Sequence, residues 1–209
     1  YGPQKKENRL LTLYANYNKL VESIKSSFDV TAGYDYQYWK STTPLYSEMN
    51  TLGEIQKTSK ASDERHVLLS YYGRLNYSFN SRYMLTTTVR RDATSRFAKN
   101  VRWGTFPSVA LGWRVTEESF LKDNKVISTL KVRASYGVTG QQDGIGNYNY
   151  LPIYTISQSG AGSLIGGTPT PTYRPKAYVP NLKWETTTSW NVGFDFGFLK
   201  DRITGSFDY

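Results

Sequence analysis

Apolar and polar residues alternate with a period of two through most of this chain, often enough to be counted by parity. In Ser26–Tyr38 the even positions carry Phe28, Val30, Ala32, Tyr34, Tyr36 and Tyr38, while the odd ones carry Ser27, Asp29, Thr31, Gly33, Asp35 and Gln37. Val67–Phe79 sets Val67, Leu69, Tyr71, Leu75, Tyr77 and Phe79 on one face. Tyr83–Arg90, Pro107–Val115 and Leu130–Thr139 repeat the scheme, and Lys183–Leu199 is its clearest case. There the row Trp184, Thr186, Thr188, Trp190, Val192, Phe194, Phe196, Phe198 faces away from Lys183, Glu185, Thr187, Ser189, Asn191, Gly193, Asp195, Gly197. Arg202–Tyr209 adds a strand, and Arg9–Asn18 a weaker one with Leu on both faces. Successive side chains of a strand point to opposite faces. The pattern therefore predicts about eight strands, most of them longer than the ~5–6 residues usual in soluble sheets.

The predicted connections alternate in length. Asn80-Ser81-Arg82 and Lys200-Asp201 are tight turns, and Thr116–Asp123 reads as a helical turn or two capped by Thr116. Trp39–His66, Asp92–Gly104 and Gly140–Asn181 are long, the last one irregular throughout. Short turns thus gather at one end of the sheet and large loops at the other.

Charge decides what the apolar face meets. Asp29, Asp35, Arg74, Arg90, Arg114, Lys131, Arg133, Glu185 and Asp195 all share the parity opposite to the apolar rows. A Lys or Arg facing lipid at mid-bilayer costs about 2–4 kcal/mol, which enforces such segregation. Aromatic residues cluster near strand ends, as the two interfacial girdles of a membrane barrel require. The fold class expected is all-β: a transmembrane antiparallel β-barrel, present as an open partial barrel of about eight strands with long loops at one end. Residues 1–209 read as a single segment of that wall. Two other architectures accommodate the same alternation: a complete small eight-stranded outer-membrane barrel with a structural or adhesion role, and a soluble β-sandwich carbohydrate-binding module.

Composition adds bounds. The chain has 209 residues, 15% of them aromatic, which argues against disorder. No run of about 18 apolar residues is present to make a membrane helix. The absence of Cys removes disulfides and thiolate metal sites, and the net charge of +9 admits anionic partners.

Candidate chemistry is sparse. His66 is the only histidine, and no nucleophile elbow accompanies it, so neither a catalytic triad with Ser70 or Asp63 nor a zinc site is expected. Asp29 and Asp35 lie about 20 Å apart along one strand, too far for an acid–base pair. The glycine-rich stretches Gly140–Gly146 and Gly160–Gly167 lack a phosphate-loop ending, and Asp143, Asn147 and Asn149 lack calcium-loop spacing. No catalytic residue, metal or cofactor is assigned. Arg91, Arg96, Lys99 and Arg102, with Arg90 beside them, crowd one loop. They suit contact with anionic glycolipid better than nucleic acid, even though Phe97 and Trp103 lie among them. Trp39, Tyr148, Tyr150, Tyr154 and Tyr173 are candidates to stack on a ligand. Arg74, Arg90, Arg114, Lys131, Arg133, Glu185 and Asp195 are expected to face the lumen.

Several blocks of residues resemble the SusC/RagA family of TonB-dependent transporters. They are Ser70-Tyr-Tyr-Gly-Arg-Leu-Asn-Tyr-Ser-Phe79, Tyr83 through Arg91-Asp92 to Ser95-Arg-Phe97, and Trp103-Gly-Thr-Phe-Pro-Ser-Val-Ala-Leu-Gly-Trp113 with Glu118-Ser-Phe-Leu121. Leu130-Lys-Val-Arg-Ala-Ser-Tyr-Gly137 with Gly140-Gln follows, then Asn181-Leu-Lys-Trp-Glu-Thr-Thr188 with Asn191-Val-Gly-Phe-Asp195. Residues 67–209 carry the ordered match; residues 1–39 fit loosely and 42–65 do not. The resemblance implies a bacterial outer-membrane importer of the kind found in Bacteroidetes, a barrel of about twenty-two strands around a plug. It also implies outer-membrane lipid, a SusD-like surface lipoprotein, the TonB complex and an oligosaccharide or peptide ligand as partners. No plug or TonB-contacting segment is recognisable in this sequence, so the chain reads as an internal slice of a longer wall.

Overall fold

The computed structural model describes residues 4–122, 124–156 and 162–209. In chain order its strands are β1 (Lys5–Val21), β2 (Ser26–Thr43), β3 (Tyr46–Met49), β4 (Ile55–Ser59), β5 (Ser62–Phe79), β6 (Tyr83–Thr94) and β7 (Trp103–Arg114). They continue with β8 (Ile127–Gln141), β9 (Tyr154–Ile156), β10 (Gly162–Ile165), β11 (Thr168–Pro171), β12 (Tyr173–Pro175), β13 (Glu185–Phe198) and β14 (Ile203–Asp208). One eight-stranded sheet runs β1-β2-β5-β6-β7-β8-β13-β14, every neighbour antiparallel and consecutive along the wall. β1 and β14 do not pair with each other, so the sheet is open. That excludes the closed eight-stranded barrel. Among the described residues no second layer covers the sheet, which excludes the sandwich.

The strands outrun the alternation that predicts them. β2 and β5 have 18 residues each, against the ~9–11 a tilted strand needs to cross a bilayer. Most of the Trp39–His66 connection is consequently strand: Trp39 pairs with His66, and only the β3–β4 hairpin caps the two. Gly140–Asn181 is not irregular throughout either, since β9 pairs with β12 and β10 with β11. Short hairpins form there because each apolar residue has a cross-strand neighbour even where no regular period exists.

The apolar parity is bare. Leu111 is 57% exposed, Trp190 62% and Val192 47%. A single-layer sheet leaving such a row uncovered requires an apolar medium beside it. At the short-turn end Asn80 and Ser81 take left-handed φ values of 51° and 54°, as two-residue hairpin turns demand. Leu199, Lys200 and Asp201 do likewise, and Ser128 Oγ accepts the Lys200 amide at 2.7 Å to hold that turn.

The helical turn at this end is the 3-10 segment Val115–Glu117, with Arg114 at its N-cap and no side-chain capping bond, so Thr116 is not the cap. Val115 is buried rather than a lipid-facing strand residue. Glu118 closes the turn. It accepts Tyr83 Oη at 2.6 Å, Trp113 Nε1 at 3.1 Å and Arg82 at 3.2 Å. These bonds, the tyrosine hydroxyl first, hold its carboxyl below the ordinary value of 4.5. A lowered carboxylate adds stability that is fully present above the ordinary value and is lost as pH falls through the lowered one. We therefore expect Glu118→Gln to lower the unfolding temperature of the whole receptor at pH 7. In melting curves recorded against pH the two should converge only as pH falls through that lowered value, below 4.5.

Glycine admits rings to the polar face. A Cβ at Gly33 would lie 2.2 Å from Tyr72 Cζ, and the Arg90 guanidinium covers the same ring at 5.7 Å. Gly33→Val is expected to expel Tyr72 and destabilise the wall by about 1–3 kcal/mol, read as the denaturant midpoint of the whole receptor.

Candidate functional site

The polar face divides into three sets of interactions. In the middle, Arg90 donates to Asp92 at 2.9 Å, Ser70 at 2.8 Å and Asp35 at 3.4 Å, joining β2, β5 and β6. Ser70 and Asp92 are buried. Nearer the other edge, Arg133 bridges Asp195 at 2.9 Å and Asp208 at 3.1 Å. Both arginines reach across strands because alternation brings them to one face with carboxylates two strands away or fewer. Arg74, Arg114, Lys131 and Glu185 share that parity without an ion pair among the described residues. Asp29 accepts from Asn16 at 2.7 Å, well separated from Asp35.

At the loop end an aromatic cluster anchors the connections. Phe97 is fully buried, and Trp184 meets it edge-on at 5.5 Å and Phe106 at 5.3 Å. Leu68, Val101, Val138, Ile145 and Leu182 pack around these rings. The β7–β8 ladder stops at Ser108 opposite Gly137, and the rings fill the space where the two strands part. A Cβ at Gly140 would come 2.1 Å from Phe106. Trp184 therefore leaves the exposed row to which parity assigns it. Its Nε1 donates instead to the Arg102 carbonyl at 2.9 Å. Phe97 is likewise a core residue, not an exposed stacking ring.

Beside the cluster lies a cavity of about 390 Å³, lined among others by Trp39, Lys40, Glu64, His66, Arg96 and Asn147. Trp39 stacks on His66 with centroids 4.4 Å apart and planes 14° from parallel. Arg96 Nη2 approaches His66 Nε2 at 3.5 Å, while its other nitrogens reach the Gln142 carbonyl at 3.0 Å and Asn147 Oδ1 at 3.2 Å. Asn147 in turn donates to Glu64 at 3.3 Å. Arg96 thus ties two loops to the wall. Sequence reasoning missed this role, and no local signal marks it, since its partners lie 30 to 51 residues away.

The other expected site residues are scattered. Tyr148, Tyr154 and Tyr173 are exposed in the long loop, at 41%, 65% and 65%, and Tyr150 is half-buried. Of the basic loop cluster, Arg91 and Lys99 are exposed and Arg102 is half-buried. His66 has no hydroxyl nucleophile: Ser70 serves Arg90, and Asp63 pairs with Arg65 at 2.5 Å. Among the described residues no hydroxyl, imidazole and carboxylate come together as a triad on this face.

A family model described as TonB dependent receptor-like, beta-barrel matches residues 2–209. The chain belongs to that family. It is 46% identical over 208 residues to the TonB-dependent receptor SusC of Bacteroides thetaiotaomicron, covering 92% of this chain and 20% of that protein. Its fold matches the RagAB peptide transporter with a TM-score of 0.79 at 22% identity, over 98% of this chain and 23% of that one. The siderophore receptor PirA from Pseudomonas aeruginosa matches at a TM-score of 0.57 and 16% identity, covering 94% of this chain and 30% of that chain. The chain spans about a fifth of the length of the curated relatives it matches. The SusC/RagA resemblance is borne out, and the open sheet is a stretch of outer-membrane barrel wall. In such a wall the bare apolar face is the outer, lipid-facing one, and the charged face lines the lumen.

Proposed function

We infer that this segment forms part of the lumen wall and the extracellular loops of a SusC-like importer of oligosaccharides or peptides. It acts by binding and gated passage, and carries no catalytic step. The observation that supports this most is the Trp39–His66 stack: a flat aromatic plane at the lumen face, flanked by Arg96 and Glu64. Such a plane takes a sugar face or a planar peptide side chain, and the charged rim supplies hydrogen bonds. Tyr148, Tyr150, Tyr154 and Tyr173 in the loop above would meet the ligand on entry. The receptor would work with a SusD-like surface lipoprotein over its mouth, and with TonB through a plug domain held in the lumen.

The test is Trp39→Ala in the whole receptor, with binding of an oligosaccharide panel and a tryptic peptide pool measured by calorimetry. Loss of one stacking partner predicts about 2- to 10-fold weaker binding for the ligands the receptor takes up. The melting temperature should stay near that of wild type. Unchanged affinity across both panels would remove Trp39 from the site.

A further inference from the structure

Extending the strands to their observed ends brings new charges onto the outer face. On the apolar parity of β1, β2, β5 and β6 these are Lys5, Glu7, Arg9, Lys40, Asp63, Arg65 and Arg91 at the loop end, with Lys19 alone at the other end. The same parity of β7, β8, β13 and β14 carries no charge at all. The charges are therefore a patch on one side of the wall and not a uniform collar. Cross-strand register assembles it: Glu7 stands opposite Lys40, which stands opposite Arg65, while Arg9 faces Tyr38 and Arg91 faces Tyr71.

The patch rests on aromatic rings. The Arg9 guanidinium lies 5.7 Å over Tyr38, and that of Arg91 lies 5.1 Å over Trp103. Tyr34 packs on Tyr71 at 5.2 Å, and Tyr71 stacks on Trp103 at 6.1 Å. These rings are the upper girdle, so the cations stand at headgroup level. Five cations meet two carboxylates there. Glu7 pairs with Arg9, and Asp63 is shared by Arg65 at 2.5 Å and Lys40 at 3.6 Å. Arg91 and Lys5 have no ion pair among the described residues. A net positive patch left solvent-accessible on a surface whose lower half is in lipid is matched to anionic headgroups of the same leaflet. Three of its cations are arginines, whose planar fork suits phosphate oxygens.

We propose that this patch binds a phosphate-bearing glycolipid of the outer leaflet, with Arg9, Lys40, Arg65 and Arg91 holding the phosphates and the tyrosine–tryptophan girdle supporting the sugars. From β1 to β6 is three strand spacings, about 14 Å, and the register sets Arg91 four residues along the strands from Arg9, about 13 Å more, so the ligand is a headgroup phosphorylated at more than one point. Of the basic loop cluster only Arg91 takes part, because Arg96 is turned to the lumen. The proposal rests on the outer-membrane location of the wall, which cell fractionation checks separately.

The experiment is native mass spectrometry of the whole receptor in detergent, titrated with bisphosphorylated lipid A and with the same lipid stripped of phosphate. The variant is Arg9→Ser/Lys40→Ser/Arg65→Ser/Arg91→Ser, with Lys19→Ser, on the same parity at the opposite end, as control. Binding should fall at least about tenfold in the variant and for the stripped lipid, and stay unchanged in the control. Inorganic phosphate at equal concentration should not displace the lipid. A heat-modifiable gel shift reports folding; should the fourfold variant misfold, Arg9→Ser/Arg91→Ser leaves the Asp63 pairs intact and should still weaken binding. The proposal is overturned if the folded variant holds lipid A like wild type, if the stripped lipid binds equally, or if inorganic phosphate displaces it.

Discussion

Trp184→Ala in the whole receptor is expected to cost about 3–5 kcal/mol locally, the range for deleting a buried tryptophan or phenylalanine. The reason is the number of elements that meet at this ring. Trp184 touches Phe97 from the loop after β6 and Phe106 from β7, and its N–H holds the Arg102 carbonyl. Because β7 and β8 part above Ser108 and Gly137, no ladder takes over when the ring is lost. The damage should stay local. Amides of residues 95–102 and 179–184 should exchange much faster with deuterium, while those in the middle of β5, β6 and β7 keep their protection. The barrel should still insert. Trp184→Phe keeps most of the volume and removes only the N–H donor, so about 1 kcal/mol is expected. Unchanged exchange in residues 95–102 after Trp184→Ala would show that the cluster is not what anchors the loops.

Leu111→Arg tests the other face. Leu111 sits between Leu85 of β6 and Ala134 of β8, two residues in from the Tyr83–Trp113 pair at the short-turn end, and is 57% exposed. Placed in lipid between the midplane and the interface, an arginine costs about 1–3 kcal/mol. In water the same change at an exposed position would be worth less than about 0.5 kcal/mol. The control is Ser135→Arg, on the lumen parity of β8 beside Arg133, where the new charge meets water. Refolding into vesicles with urea titration should show a large loss for Leu111→Arg and a small one for Ser135→Arg. Equal effects at the two positions would mean that the apolar row does not face lipid.

How far the sequence alone determined this protein follows from the range of each interaction. Alternation is local, so eight strand positions, their antiparallel order and the face carrying Val192 or Arg133 are legible residue by residue. The motif blocks make the family legible too, and they include Phe97, Phe106 and Trp184. Their purpose was not legible. Parity places Trp184 on the lipid row, and only the parting of β7 from β8 turns it into a buried anchor. Strand ends were also undecided, because above the lipid band no medium enforces alternation and pairing alone extends β2 to Thr43 and β5 back to Ser62. That extension moved Trp39 from a loop onto His66 and raised Lys40 and Arg65 onto the outer face. Arg96 joined the lumen cavity through partners far away in sequence. The wall, then, was written in a two-residue period that any segment carries by itself. The cavity and the charged patch exist only where strands distant in the chain stand in register, and that is a property of the assembled sheet.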